Sequence, residues 1–121
     1  MDDLLAGRHF LVIEDEMLVL LMIEDMLADL GCDSVTAAAT IDKALALIDG
    51  QAFDAAMLDM NLNGNDSLKV ADALTARGIP FVYCTGNNGH GMRADAADTP
   101  VLRKPFSFEE LKAILSRLRA S

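Results

Sequence analysis

Three acidic side chains stand directly after strongly apolar runs of the sequence. Glu14 and Asp15 follow the run HFLVI, and Asp59 follows the run AAML. If these runs are neighbouring strands of one sheet, the three carboxylates meet at one edge and repel each other. Mg²⁺ offsets such repulsion, because it prefers oxygen ligands and combines one or two carboxylates with waters and phosphate oxygens. The pattern therefore predicts a magnesium site.

A hydroxyl and a cation follow two further apolar runs. Thr85 comes after FVYC, and Lys104 comes after VLR. In phosphoryl transfer the protein mainly positions the group and neutralises charge on its oxygens, which a threonine hydroxyl and a lysine ammonium can do. Asp59 then remains as the nucleophile, since a carboxylate can form an aspartyl phosphate. These residue types predict phosphoryl transfer to Asp59.

The elements that must position these side chains follow from hydrophobic periodicity, because short apolar runs alternate with longer segments of helical period. The predicted strands are Arg8–Ile13, Ser34–Ala37, Phe53–Leu58, Pro80–Cys84 and Pro100–Arg103. The predicted helices cover about Met17–Leu30, Thr40–Asp49, Ser67–Arg77 and Ser107–Ala120, with a short one over Met92–Ala97. The chain therefore consists of β/α units.

Such units favour a parallel sheet, because a strand, a crossover helix and a second parallel strand form the right-handed unit of α/β folds. The continuously apolar strands are typical of a sheet covered on both faces. We predict an α/β, flavodoxin-like doubly wound sheet of five parallel strands in the order 2-1-3-4-5, with helices on both faces. That order places a ligand crevice beyond the carboxyl ends of the first and third strands, where the acids lie.

Local signals predict helix ends and core residues. Glycines follow three predicted helices as C-terminal caps, and Ser107 with Glu110 has the spacing of a capping box. Most of the methionines, Met17 among them, are expected to fill the core, as is Cys84. The glycines are Gly31, Gly50 and Gly78.

Composition limits the classes of function. A chain of 121 residues fits one domain, residues 1–121, and its net charge of −9 disfavours binding to nucleic acid or to an anionic membrane. Cys32 and Cys84 lack CxxC spacing, and nothing resembles an export signal or a membrane span, so a cytoplasmic location is expected. Residues 103–121 carry more cations than acids, which suggests a partner-binding face on the last helix.

The ordered set of residues resembles the CheY-like receiver domains of two-component response regulators. The resemblance covers nearly the whole chain, and it is specific because the matching residues all stand at strand ends. The matching elements are the pair Glu14-Asp15, Asp59 within LDMNLNG, Thr85-Gly86, and Lys104-Pro105-Phe106.

This resemblance implies a signalling switch. Asp59 would accept a phosphoryl group from the phosphohistidine of a histidine kinase or of a histidine phosphotransfer protein, and the chain would catalyse its own dephosphorylation. A downstream protein would bind the face that runs from the fourth strand to the last helix. The implied Mg²⁺ ligands are Asp15 and Asp59 through their side chains, the backbone carbonyl of Asn61, and Glu14 through water. Thr85 and Lys104 would contact the phosphoryl oxygens.

One departure from the family concerns signal readout. The family often carries an aromatic residue three positions before the lysine, where this chain has Val101. The strand PFVYCTG resembles the PFxFATG strand of an alphaproteobacterial receiver subgroup, although Asn87 replaces the tyrosine usual there. Because valine has no ring to rotate, the switch is expected to pass through the Thr85 backbone into the segment Gly86–Gly91.

Other classes fit the sequence less well. A flavodoxin-like FMN carrier would need a Ser/Thr/Gly-rich loop after the first strand, where EDEML stands instead. A haloacid-dehalogenase-like phosphatase usually has its nucleophile in a DxD motif after the first strand, whereas Asp59 follows the third. A degenerate receiver that only binds proteins is disfavoured because the whole acceptor set is present. The chain begins with Met1 and ends after its last helix, which favours a stand-alone receiver, although one excised from a hybrid kinase would look similar.

Overall fold

The computed structural model describes residues 6–59, 61–62, 65–85, 101–103 and 106–120 of the chain. Within this part, the five predicted strands and the four longer predicted helices are all present. In chain order the elements are β1 (His9–Ile13), α1 (Met17–Asp29), β2 (Ser34–Ala38), α2 (Ile41–Gly50), β3 (Ala55–Asp59), β4 (Asn61–Leu62), β5 (Asn65–Asp66), α3 (Leu68–Ala76), β6 (Phe81–Thr85), β7 (Val101–Arg103) and α4 (Phe108–Ala120). The predicted helix Met92–Ala97 lies outside the described residues.

Five strands form one parallel sheet in the order β2-β1-β3-β6-β7. Counted by themselves, these strands have the order 2-1-3-4-5, so the predicted fold is confirmed. The register pairs Ile13 with both Ala38 and Leu58, and it pairs Asp59 with Cys84. The strands therefore end together, and the residues that follow them share the carboxyl edge of the sheet.

Two hydrophobic cores lie on the two faces of this sheet. Successive side chains of a strand point to opposite faces, and β1 follows that rule. Phe10 and Val12 pack in one core with residues of α1 and α4. Leu11 and Ile13 pack in the other core with residues of α2 and α3. Because both faces of β1 are covered, the strand is apolar throughout, and polar groups first appear beyond its end.

Side-chain hydrogen bonds cap the starts of two helices. The Thr40 hydroxyl accepts a hydrogen bond from the Lys43 N–H at 3.1 Å at the start of α2. Before α4, the Ser107 hydroxyl accepts from the Glu110 N–H at 3.1 Å, while the Glu110 carboxylate accepts from the Ser107 N–H at 2.9 Å. This reciprocal pair confirms the predicted capping box.

Helix ends agree with the prediction at two of the three glycines. Gly31 and Gly78 have φ values of 88° and 70°, the left-handed conformation that favours glycine after a helix. The prediction for Gly50 is wrong, because this residue is the last one of α2 and the extended Gln51 occupies the C-cap position. Because the chain leaves α2 in an extended conformation at Gln51, no residue there has to adopt the left-handed backbone conformation that favours glycine.

Two details of the sheet differ from the prediction. The third strand begins at Ala55 rather than Phe53, and just before it the Asp54 side chain accepts the His9 N–H at 2.7 Å in place of a backbone carbonyl. The antiparallel pair β4–β5 was not predicted. No helix in the described part of the chain has the length and apolar character needed to cross a membrane.

Candidate functional site

The carboxylates of Glu14, Asp15 and Asp59 converge at the carboxyl edge of the sheet. Their nearest oxygen atoms all lie within 4.8 Å of one another. Glu14 and Asp59 are only 2% and 3% exposed, whereas Asp15 is half-buried. The structure thus brings together the three acids that the sequence places after the first and third strands.

The backbone after β1 fixes Glu14 in this position. Its N–H donates to the Ala38 carbonyl at 3.0 Å, which extends the pairing with β2 by one residue beyond the strand. Its Oε2 accepts a hydrogen bond from the Glu16 N–H at 3.1 Å. Glu16 is the N-cap residue of α1, so this bond ties the acid to the start of the helix. The positive end of the helix dipole thereby faces the acidic cluster.

The donor set fits a hard divalent cation. Three carboxylates so close together repel each other, and their repulsion is stronger where burial keeps water away. Mg²⁺ takes oxygen ligands and keeps part of its water shell, so it needs only some of these oxygens directly. The half-buried Asp15 leaves one side of the cluster accessible to water. These side chains can therefore hold Mg²⁺ together with an oxygen-rich substrate.

The other predicted site residues are described only in part. Thr85 ends β6, where its backbone pairs with Arg103 of β7 at the same edge of the sheet. Asn61 begins β4, where its backbone pairs with Asp66. The side chains of Thr85 and Asn61, and the whole of Lys104, lie outside the described residues.

Sequence reasoning missed an exposed apolar surface beside the acids. Met17, expected in the core, is 67% exposed at the start of α1, and Leu18 and Leu21 are 81% and 48% exposed. The expectation for Met17 is wrong because α1 packs only one side against the sheet. The signal was in the sequence: the run MLVLLMI surrounds the helix with apolar residues, and a surface helix buries only one stripe of them.

The sheet order and the acidic carboxyl edge define a flavodoxin-like α/β domain whose cleft suits a divalent cation. The family model of the response regulator receiver domain matches residues 10–116, and the chain belongs to this family. The structure is similar to the solution structure of SdrG from Sphingomonas melonis Fr1, with 40% sequence identity and a TM-score of 0.83 over 93% of this chain and 96% of that one. No curated protein matches the chain at a significant level.

A second similar structure bears on the metal. The receiver domain of the sensor histidine kinase PA1611 from Pseudomonas aeruginosa PAO1 was solved with a magnesium ion coordinated in its active site cleft. It is 30% identical to this chain, with a TM-score of 0.83, and the match covers 96% of this chain and all of that one. The solution structure of the BeF3-activated conformation of SdrG from Pseudomonas melonis Fr1 is 41% identical, with a TM-score of 0.78 over 93% of this chain and 98% of that one.

Proposed function

We propose that the chain accepts a phosphoryl group onto Asp59 from the phosphohistidine of a histidine kinase or a histidine phosphotransfer protein. The observation that carries this proposal is the cluster of three carboxylate side chains within 4.8 Å at the carboxyl edge of the sheet. Asp59 is the member that β3 delivers from the centre of the sheet, between β1 and β6. Membership of the receiver family supports the same assignment.

In the proposed reaction, a carboxylate oxygen of Asp59 forms a bond to phosphorus as the bond between phosphorus and the donor's imidazole nitrogen breaks. The imidazole leaves with the electron pair of that bond. Asp15, Asp59 and the backbone carbonyl of Asn61 would hold Mg²⁺ directly and Glu14 through water, and the ion supplies charge neutralisation for the phosphoryl oxygens. Thr85 would donate a hydrogen bond to those oxygens, and Lys104 would pair with them.

The phosphorylated state would then bind a downstream protein through the face from β6 to α4, and hydrolysis of the acyl phosphate would reset the switch. We propose that residues 1–121 form a single domain that acts in the cytoplasm. A second candidate is a receiver module of a larger regulator or hybrid kinase. The similarity to a receiver domain of a sensor histidine kinase supports that alternative.

Phosphorylation with a small donor tests the assignment of Asp59. Incubation with acetyl phosphate and Mg²⁺, followed by borohydride trapping and mass spectrometry, is expected to place the label on Asp59 alone. Asp59→Asn should abolish the label because an amide cannot form the acyl phosphate. Asp42→Asn, an exposed acid in the first turn of α2, serves as the control and should label normally. Labelling that persists in Asp59→Asn would refute the proposal.

A further inference from the structure

An open groove of about 480 Å³ lies between α2 and α3, on the face of the sheet opposite to α1 and α4. Three alanines line it: Ala46 and Ala76 are exposed, and Ala73 is half-buried. Side chains this small let another helix approach α2 and α3 closely, since the distance between packed helix axes depends on the side chains at the contact. The groove is therefore suited to contact with further helices.

The two sides of this groove carry opposite charges. Asp49 of α2 and Arg77, the C-cap residue of α3, line the groove and form an ion pair at 3.7 Å across it. Asp42 lies seven residues before Asp49, and Lys69 lies eight residues before Arg77, so each shares a side of its helix with a residue that lines the groove. All four side chains are exposed. The α2 side of the groove is thus acidic, and the α3 side is basic.

These charges remain largely available to another molecule. The side chains of Asp49 and Arg77 are 90% and 47% exposed, and such an exposed pair contributes about 1 kcal/mol or less. Asp42 and Lys69 form no ion pair with any residue that the structure describes. Lys69 stands in the first turn of α3, where the helix dipole disfavours a cation, so helix stability does not explain it.

We propose that the α2–α3 face, defined by Asp42, Asp49, Lys69 and Arg77 around the groove, binds the same face of a second copy of the chain. The two helices run in the same direction, because both connect parallel strands on one face of the sheet. A two-fold axis parallel to them sets α2 of each copy against α3 of the other. The acidic side of each copy then meets the basic side of its partner.

Charge selects this arrangement over the alternative one. A two-fold axis that crosses the helices at a right angle within the interface would set α2 on α2 and α3 on α3. Acids would then face acids and cations would face cations, which disfavours association. In the selected arrangement, both copies have the carboxyl edges of their sheets at the same end of the pair. The two acidic clusters therefore stay open to solvent.

The size of the face makes this pairing weak and reversible. Helices of ten and nine residues form a face only about 15 Å long, which is small for a specific interface. The net charge of −9 adds a general repulsion between two copies. We therefore expect self-association at low salt and at protein concentrations close to millimolar. NMR diffusion measurements over a concentration series report the dissociation constant of the pair.

Charge reversal on one helix at a time tests the pairing. The α2 variant carries Asp42→Lys and Asp49→Lys, and the α3 variant carries Lys69→Glu and Arg77→Glu. Each variant is expected to raise the dissociation constant about tenfold, because like charges then face each other across the interface. Added salt should weaken the wild-type pair, because the charges at its rim are exposed to solvent.

Recombining the reversed charges should restore the pair. An equimolar mixture of the α2 variant and the α3 variant is expected to associate as the wild type does. The same holds for a single chain with all four substitutions, whose net charge is again −9. Recovery in that chain requires α2 of one copy to face α3 of the other.

A matched control separates the interface from net charge. Asp25→Lys with Asp29→Lys on α1 changes the net charge as the α2 variant does, but on the other face of the sheet. This control should pair at least as tightly as the wild type, because it relieves the general repulsion. Net charge alone predicts the same for the α2 variant, so opposite behaviour of the two variants locates the interface.

The pairing does not depend on Asp59 as the acceptor, and a dispersed amide NMR spectrum shows that each variant folds. If a double variant does not fold, Asp42→Lys and Lys69→Glu apply the same test singly and leave the other ion pair intact. A wild type that stays monomeric, a folded α2 variant that pairs as tightly as the wild type, or a folded chain with all four substitutions that does not recover would each overturn the proposal.

Discussion

At the scale of single residues, the three acids of the cluster have different surroundings. One oxygen of Glu14 already accepts the Glu16 N–H, and the side chain is 2% exposed. Asp15 is half-buried and lies nearer to water. A carboxylate engaged by the backbone has less freedom to bind a cation directly. This difference supports the proposal that Glu14 would bind Mg²⁺ through water and Asp15 directly.

We therefore predict that Asp15→Asn weakens Mg²⁺ binding about tenfold more than Glu14→Gln, since loss of a direct ligand costs more than loss of an outer one. Both substitutions keep the size of the side chain. NMR titration with Mg²⁺ measures the affinities, and Asp42→Asn controls for the change in net charge. Equal losses, or a larger loss in Glu14→Gln, would show that the coordination is assigned wrongly.

The surroundings of Cys32 favour a structural role over a reactive thiol. Burial raises the pKa of its thiol, and the Sγ–H donates to the carbonyls of Arg8 and Ser34 at 3.4 Å and 3.3 Å. A raised pKa keeps the sulfur protonated at neutral pH, and the protonated form is the less reactive one. The thiol thus helps to hold the loop after α1 against the starts of the strands β1 and β2.

At the scale of elements, the helix α1 has an acid at its C-terminal end and exposed apolar side chains in its first two turns. Asp29→Lys is predicted to raise the free energy of unfolding by about 0.5 kcal/mol, because a cation suits the C-terminal end of the helix dipole. Urea denaturation at low salt measures this change. Asp25→Lys makes the same charge change in the middle of the helix and should give a smaller gain. Equal gains in both variants would instead indicate general relief of the net negative charge.

Strands were the most predictable elements, because each strand that is covered on both faces reads as an apolar run. Phe10 to Ile13 shows this directly, since alternate residues enter different cores. The ends of the strands were less predictable where a side chain takes the hydrogen bond that a backbone carbonyl would otherwise accept. Asp54 does this just before β3, where its carboxylate accepts the His9 N–H. The β4–β5 pair was not predicted because two-residue strands show no periodicity. The sequence between them, Asn63-Gly64, is nevertheless typical of a tight hairpin.

The positions of the three acids of the site could be predicted from the sequence, but the exposed apolar side chains beside them could not. Parallel strands bring their carboxyl ends to one edge, so Glu14, Asp15 and Asp59 could be placed together from their positions after strands. The exposure of Met17 and Leu18 depends on which side of α1 packs against the sheet. The first two turns of α1 are apolar on all sides, so their sequence does not show which side packs against the sheet.

At the scale of the whole molecule, the proposed switch would work without an aromatic ring at position 101, where the chain has a valine. Val101 is half-buried, packs against the core that contains Leu11, and pairs with Tyr83 in the sheet. The Tyr83 ring is itself 1% exposed and stands edge-on to Phe81 at 5.4 Å. A ring packed so closely in the core cannot swing outward without opening that core. In the proposed switch, the signal would pass through the backbone at the end of β6, which lies at the carboxyl edge of the sheet.

We therefore predict that activation changes hydrogen exchange most strongly between Thr85 and Ala97. A phosphoryl group on Asp59 would draw the Thr85 hydroxyl toward it, and the glycines that follow in the sequence admit backbone angles closed to other residues. Beryllofluoride with Mg²⁺ mimics the phosphoryl group, so exchange measured with and without it reports the change directly. Asp59→Asn should show no response. Larger changes on α1 (Met17–Asp29) than on residues 85–97 would contradict this route while leaving the phosphorylation of Asp59 intact.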